Sequence, residues 1–157
     1  MAKKKESLNT KIIRLVVLVL ICEGVGIVGS LVTVPAITGW YMGLNKPFFS
    51  PPNWIFGPVW TTLYLLMGVS WFLVWSKKIS KKWFYIQLAL NFLWSYIFFG
   101  LHNAGLALAE ILFMWIAIVM TIRDFYKTSR TASWLLVPYV LWVSFAAFLN
   151  FSIWVLN

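Results

Sequence analysis

Three stretches of this chain contain no charged side chain: those between Lys46 and Lys77, between Lys82 and Glu110, and between Arg130 and Asn157. A fourth apolar run follows Arg14 and reaches Thr38, broken only by Glu23. The hydrocarbon core of a bilayer is about 30 Å thick and takes roughly 20 apolar residues per helix. In a chain of 157 residues that is 62% hydrophobic and 11% charged, such runs leave too much apolar surface for one modest water-soluble core. A soluble enzyme domain and a disordered chain are excluded on that ground. The net charge of +9 then reads as membrane topology rather than as affinity for nucleic acid.

The runs predict an all-α integral membrane protein, a bundle of five transmembrane helices over Ile12–Val34, Ile55–Trp75, Trp83–Leu101, Ala104–Ile122 and Ala132–Leu156. Residues 1–11 read as a basic cytoplasmic tail, and 12–157 as a single transmembrane domain. The first run lies behind Lys3, Lys4 and Lys5 but exceeds the roughly 7–15 residues of a signal-peptide core. Pro35-Ala36 is a poor cleavage site, so a retained first helix is expected. Five helices place alternate connections on opposite sides. One side then receives Lys3, Lys4, Lys5, Lys11 and Arg14, then Lys77, Lys78, Lys81 and Lys82, then Arg123, Lys127 and Arg130. The other side receives only Lys46. This asymmetry predicts a multi-pass protein of the cell membrane, with its N-terminus in the cytoplasm and its C-terminus outside.

Several membrane chemistries lack their residues. The one histidine, His102, sits at a turn, so a haem held by intramembrane histidines is not expected. Residues 131–157 contain no lysine for a retinal Schiff base. There is no phosphate-binding glycine loop and no zinc-ligand cluster. Cys22 is alone, within a helix, and reads as a structural thiol. No metal and no cofactor are expected.

Two glutamates fall at membrane depth, where an ionisable group is costly and faces the bundle interior. Glu23 shares a small, polar face with Gly26, Ser30 and Thr33. Glu110 shares one with Ala107, Met114, Ala117 and Thr121. Either face serves a proton or cation site, or simply helix packing. Gly24, Gly26 and Gly29 permit close approach of another helix.

Tryptophan is the unusual residue, at 11 copies. Trp40, Trp75, Trp83, Trp134 and Trp154 lie near helix ends and fit an interfacial belt. Trp60, Trp71, Trp94, Trp115 and Trp142 need another account. Helical spacing puts Trp60, Tyr64, Met67 and Trp71 on one face of the second helix. Gln87, Asn91, Trp94, Ser95 and Phe98 share a face of the third. Tyr139, Trp142, Ala146, Leu149 and Asn150 share a face of the fifth. Amides facing lipid would go unsatisfied, so these faces point inward. They form either a pocket for a flat hydrophobic ligand or a closely packed bundle. The long first loop, from Pro35 to Asn53, is rich in proline and aromatics and reads as a stiff cap over the outward end. Pro58 fits the first turn of the second helix. Pro138 is expected to kink the fifth beside Trp142.

These residues fall into long motifs. The first loop and second helix read Trp40-Tyr41-x-x-Leu44-x-Lys46-Pro47-x-x-x-Pro51-Pro52-x-Trp54-x-Phe56-Gly57-Pro58-Val59-Trp60-x-x-Leu63-Tyr64-x-x-Met67-Gly68. The third helix carries Gln87-Leu88-Ala89-Leu90-Asn91-x-x-Trp94-Ser95-x-x-Phe98-Phe99-Gly100. The fifth carries Pro138-Tyr139-x-x-Trp142-x-x-Phe145-Ala146-x-x-Leu149-Asn150. The whole resembles the translocator protein family, the TspO family of tryptophan-rich sensory proteins, whose mammalian members are the peripheral-type benzodiazepine receptors. The resemblance implies a five-helix bundle, often a homodimer, with a pocket capped by the first loop. It implies binding of tetrapyrroles such as protoporphyrin IX, of sterols, and of synthetic benzodiazepine-type or isoquinoline ligands. Transport of such molecules is a further implied activity. The residues it assigns to ligand binding are Tyr41, Pro51, Trp54, Trp60, Tyr64, Asn91, Trp94, Trp142, Ala146, Leu149 and Asn150. It also assigns Trp60 and Trp142 to light-dependent breakdown of porphyrin. Two departures stand out. The stretch Leu149–Val155 lacks the Tyr and Arg of the mammalian cholesterol motif, and Phe48 replaces a tryptophan found in some bacterial relatives.

Overall fold

The computed structural model describes residues 7–157, so Lys3, Lys4 and Lys5 lie outside the described residues. Its elements are helices: α1 (Leu8–Thr38), α2 (Phe56–Val74), α3 (Lys82–Ser95), α4 (Ala104–Tyr126), α5 (Arg130–Trp134) and α6 (Val137–Leu156). Four segments, Leu8–Thr38, Asn53–Val74, Ala104–Tyr126 and Arg130–Leu156, are long and apolar enough to cross a membrane. The third crossing is made by the 14 residues of α3 followed by a five-residue π-helical turn, Tyr96–Gly100. Five crossings result, as the charge pattern predicts.

α1 exceeds its expected bounds at both ends. Ser7 caps it, accepting from Thr10 N at 3.2 Å, so residues 8–11 are helical rather than tail. At the other end Pro35, read as the start of the loop, lies inside the helix. Proline removes one backbone donor, but burial of Ala36 against Tyr41 and Phe98 holds the last turn. The Thr38 hydroxyl also donates to Pro35 O at 3.1 Å.

The fifth crossing differs from expectation as well. Pro138 does not kink a continuous helix. The chain breaks at Leu135–Leu136, and Pro138 stands in the first turn of α6, where a missing N–H costs little. α5 is held against the bundle by Ser70 Oγ donating to Ala132 O at 2.7 Å and Ser133 Oγ donating to Ile122 O at 3.0 Å. Pro58 sits in the first turn of α2, as expected.

Contacts between elements fix which ends lie together. At one end the Arg14 guanidinium lies 5.8 Å from the Trp75 ring, tying the start of α1 to the connection after α2. At the other end Trp40 stacks on His102 at 4.4 Å, and Asn45 N donates to Asn157 Oδ1 at 2.9 Å. The first loop, the α3–α4 turn and the end of α6 therefore share one end. His102 turns the chain with φ of 53°, and Asn103 caps α4 by accepting from Leu106 N at 2.9 Å.

α1 and α2 pack closely because two glycines allow it. A Cβ on Gly68 would lie 2.5 Å from the Val19 Cα, and one on Gly26 would lie 2.2 Å from the Tyr64 ring. Gly24 meets nothing within 4 Å. The face of α4 that includes Ala107, Glu110, Met114, Ala117 and Thr121 is buried throughout.

Candidate ligand-binding site

Toward the end that carries the first loop, the bundle opens into a cavity of about 450 Å³. A pocket of this size is within the range of drug-sized ligand sites. Four crossings build its walls. α1 contributes the small face that includes Glu23, Gly26, Ser30 and Thr33. α2 contributes Trp60, Thr61 and Tyr64. α3 and its π turn contribute Trp94, Ser95, Phe98 and Phe99. α6 contributes Trp142, Ala146, Leu149, Asn150 and Ile153. The first loop adds Tyr41, Asn53 and Trp54.

The aromatic walls are set by ring contacts. Trp60 packs on Tyr64 at 5.6 Å and meets Tyr139 edge-on at 6.3 Å. Trp94 stacks on Phe98 at 5.1 Å, and Trp142 lies 6.1 Å from Phe56 and 5.5 Å from Phe145. The π turn explains the density of rings below the loop. Its Leu101 N donates to Tyr96 O at 2.9 Å, one residue further back than an α-helical bond. Ile97, Phe98 and Phe99 are all buried there, against Tyr41 and Trp40.

The amides act from behind the rings. The Tyr64 hydroxyl donates to Asn91 Oδ1, and Asn91 Nδ2 donates to Tyr139 Oη at 3.0 Å. Trp94 Nε1 donates to Asn150 Oδ1 at 3.1 Å, while Asn150 Nδ2 donates to Ala104 O at 2.7 Å. Each bond joins two helices, so the rings are held by a polar frame in a setting where an unpaired amide is costly. Two buried polar atoms of the cavity wall have no hydrogen-bond partner among the described residues: Trp142 Nε1 and Tyr41 Oη.

Of the residues assigned to ligand binding, the structure brings together Tyr41, Trp54, Trp60, Tyr64, Trp94, Trp142, Ala146, Leu149 and Asn150 on the cavity wall. Asn91 does not reach the cavity. It is 2% exposed and serves as a spacer between Tyr64 and Tyr139. Pro51 is also absent from the wall, because Asn53, Trp54 and Phe56 occupy that part of the rim.

Two tryptophans that needed an account find one elsewhere. Trp71 packs on Phe84 at 5.0 Å and Tyr85 at 5.6 Å near the opposite end of the bundle. Trp115 lies on the outside, donating to Ser144 Oγ at 2.9 Å. The contribution of α1 was the signal underused in the sequence. The spacing of Glu23, Gly26, Ser30 and Thr33 marked one face, and that face is cavity wall rather than packing alone.

Comparison with known proteins agrees with this architecture. Residues 18–155 match the TspO/MBR family. The chain is 44% identical over 151 residues to the tryptophan-rich protein TspO of Archaeoglobus fulgidus, covering 93% of this chain and 98% of that protein. It is 42% identical over 123 residues to the human translocator protein, covering 73% of each chain. It is 38% identical over 133 residues to the tryptophan-rich sensory protein of Cereibacter sphaeroides, covering 78% of this chain and 84% of that one. With a family match spanning nearly every described residue and an aromatic cavity built by its helices, this chain belongs to the TspO/MBR family of multi-pass membrane proteins.

Proposed function

We propose that the cavity binds flat hydrophobic tetrapyrroles, protoporphyrin IX among them, and accepts benzodiazepine-type ligands in the same space. The supporting observation is the wall of Trp60, Tyr64, Trp94 and Trp142 around about 450 Å³, fixed by hydrogen-bonded amides. Ring faces stack on a flat aromatic ligand, and a preformed wall spares the cost of ordering it. The first loop acts as the cap. Tyr41 is 2% exposed, Phe49 stacks on Phe148 at 5.0 Å, and Asn45 is bonded to Asn157. Lys46 Nζ lies 4.8 Å from the Tyr41 ring, at the cavity's loop end, where a porphyrin carboxylate leaving the apolar wall would meet a positive charge. Tyr41, Trp54, Trp60, Tyr64, Trp94, Trp142, Ala146, Leu149 and Asn150 are the proposed contacts, and Asn91 positions Tyr64. The setting is the cell membrane, with the cytoplasm on the basic side, and the protein acts as a homodimer.

Titration of protoporphyrin IX into the purified protein in uncharged detergent tests the reading. Saturable quenching of tryptophan fluorescence is expected, weakened at least tenfold when Trp60→Ala and Trp142→Ala are combined. Absence of saturation, or unchanged affinity in the double variant, defeats it.

A light-driven activity is favoured by one observation: both Trp60 and Trp142 face the cavity, so a bound, excited porphyrin would have oxidisable indoles beside it. Illumination of the complex in air is then expected to yield a new bilin-like absorbance. Bleaching indistinguishable from that of free porphyrin would refute this activity and leave binding intact.

A further inference from the structure

Glu23 is the only charged side chain on the cavity wall among the described residues. It lies 15 residues along α1 from Thr38, about 22 Å below the loop end of the helix. An ionisable group at such depth is retained at a cost and faces a partner or a cavity. Glu23 has no hydrogen bond and no ion pair with any described residue, and it is half-buried rather than packed away. The side-chain donors of its neighbours on α1 and of Tyr64 are committed elsewhere. The Tyr64 hydroxyl is turned to Asn91. Ser30 Oγ donates to Ile27 O at 2.6 Å and Thr33 Oγ1 donates to Gly29 O at 3.0 Å. Trp94 Nε1 and Asn150 Nδ2 are likewise committed to Asn150 Oδ1 and Ala104 O. The cavity wall therefore offers a ligand an unanswered carboxylate at Glu23, beside the free indole N–H of Trp142. No Lys, Arg or His lines the cavity to neutralise it.

We infer that Glu23 is the polar anchor of the cavity and selects ligands that present an N–H donor to its deep end, above all a protonated amine. The inference rests on the cavity being a ligand site. It adds the chemical class that this chain prefers there: planar and apolar, with a cationic or N–H-bearing face. A hydrogen bond between a charged donor and a carboxylate is about twice as strong as a neutral one, and the apolar walls weaken its screening. A free-base tetrapyrrole meets the requirement only weakly, because its inner N–H groups lie in the ring plane and point at the ring centre. A planar aromatic amine meets it more strongly, and an uncharged ring without a donor leaves Glu23 unanswered. Glu110 does not share the role, because it is 7% exposed on α4 and does not line the cavity.

The test compares two planar probes on the whole protein in uncharged detergent: amino-acridine, a cation at neutral pH, and acridine, its uncharged analogue under mildly alkaline conditions. Tighter binding of amino-acridine by about tenfold is expected, the size of one charge-assisted hydrogen bond. Glu23→Gln is expected to erase that preference, Glu23→Asp to retain it, and Glu110→Gln to leave it in place. Equal affinity for both probes in the wild-type protein overturns the inference without need of any variant, so it stays refutable even where Glu23→Gln fails to fold. A preference that survives Glu23→Gln, or that is lost equally in Glu110→Gln, overturns it too. If protoporphyrin IX quenches saturably but neither acridine binds, the amine selectivity falls and the cavity reading stands. If nothing binds, protoporphyrin IX included, both fall.

Discussion

Trp94 donates its indole hydrogen to Asn150 Oδ1 at 3.1 Å, so a cavity ring on α3 is oriented by an amide on α6. The same amide donates to Ala104 O at 2.7 Å, at the first residue of α4. One side chain thus ties three crossings together just below the loop. Asn150→Ala leaves the Trp94 indole N–H without its partner and removes a second bond on the Ala104 carbonyl, which the α-helix already pairs. An unpaired donor costs about 1–3 kcal/mol when buried. A clear fall in the thermal unfolding midpoint is expected, with weaker binding of any ligand that stacks on Trp94. Trp94→Phe removes the indole donor and leaves Asn150 Nδ2 on Ala104 O, so its fall is expected to be smaller. Unfolding monitored by circular dichroism, with both variants in the same detergent, checks the order.

Close approach of α1 and α2 rests on Gly68, and the obstacle to a larger residue there is backbone. A Cβ would sit 2.5 Å from Val19 Cα and 3.0 Å from Val19 N, neither of which can rotate away. Gly68→Ala is therefore expected to separate the two helices and cost about 1–3 kcal/mol. Gly24→Ala is the internal control, since no atom lies within 4 Å of its Cβ. It is expected to be neutral or to stabilise the helix by up to about 1 kcal/mol. Equal unfolding midpoints for the two variants would contradict the packing described.

The crossings were readable because charge is expensive in lipid: Lys46 and Lys77 bracket the run that holds α2, and the run from Arg130 to the end of the sequence holds α5 and α6. The inward faces were readable for a related reason. Gln87, Asn91 and Asn150 have amides that lipid cannot satisfy, and all three are buried. Three features were hidden. Pro35 and Pro138 have the same local chemistry, but one is carried inside α1 beside the buried Ala36 while the other starts α6. Periodicity alone does not distinguish these cases. The π turn at Tyr96–Gly100 has no sequence mark, since it follows from how Ile97, Phe98 and Phe99 pack at the end of α3. Asn91 and Trp94 lie on one face at adjacent turns, yet only Trp94 reaches the cavity. Tyr64 and Tyr139 claim both ends of the shorter amide.

The first loop is fastened at its far side by an amide pair. Asn45 N donates to Asn157 Oδ1 at 2.9 Å, and Asn157 Nδ2 donates back to Asn45 O at 3.0 Å. Asn45 Nδ2 adds a bond to Leu156 O at 3.3 Å. These bonds are exposed, so each contributes little to stability, yet together they hold the loop against the end of α6. Asn157→Ala is expected to leave the unfolding midpoint within about 0.5 kcal/mol of wild type. It is also expected to speed both entry and release of protoporphyrin IX, with a smaller change in affinity. Stopped-flow tryptophan quenching measures both rates. Unchanged rates would show that ligand does not pass this edge of the loop.

The proposed orientation in the membrane rests on which ends share a side. Arg14 against Trp75 puts the start of α1 with the connection after α2. Arg130 lies 5.6 Å from the Tyr126 ring at the α4–α5 connection, and the four crossings that precede it, an even number, place that connection on the same side. Among the described residues, Lys11, Arg14, Lys77, Lys78, Lys81, Lys82, Arg123, Lys127 and Arg130 then gather there, against Lys46 alone on the other side. Positive charge near helix ends stays in the cytoplasm, and the aromatic partners of Arg14 and Arg130 suit the membrane interface. A reporter active only outside the cytoplasm, fused after Asn157, is expected to be active, and the same reporter inserted between Lys78 and Ile79 is expected to be silent. Silence at Asn157 together with activity at Lys78 would invert the assignment. Activity at both positions would break the crossing count on which α3 and its π turn depend.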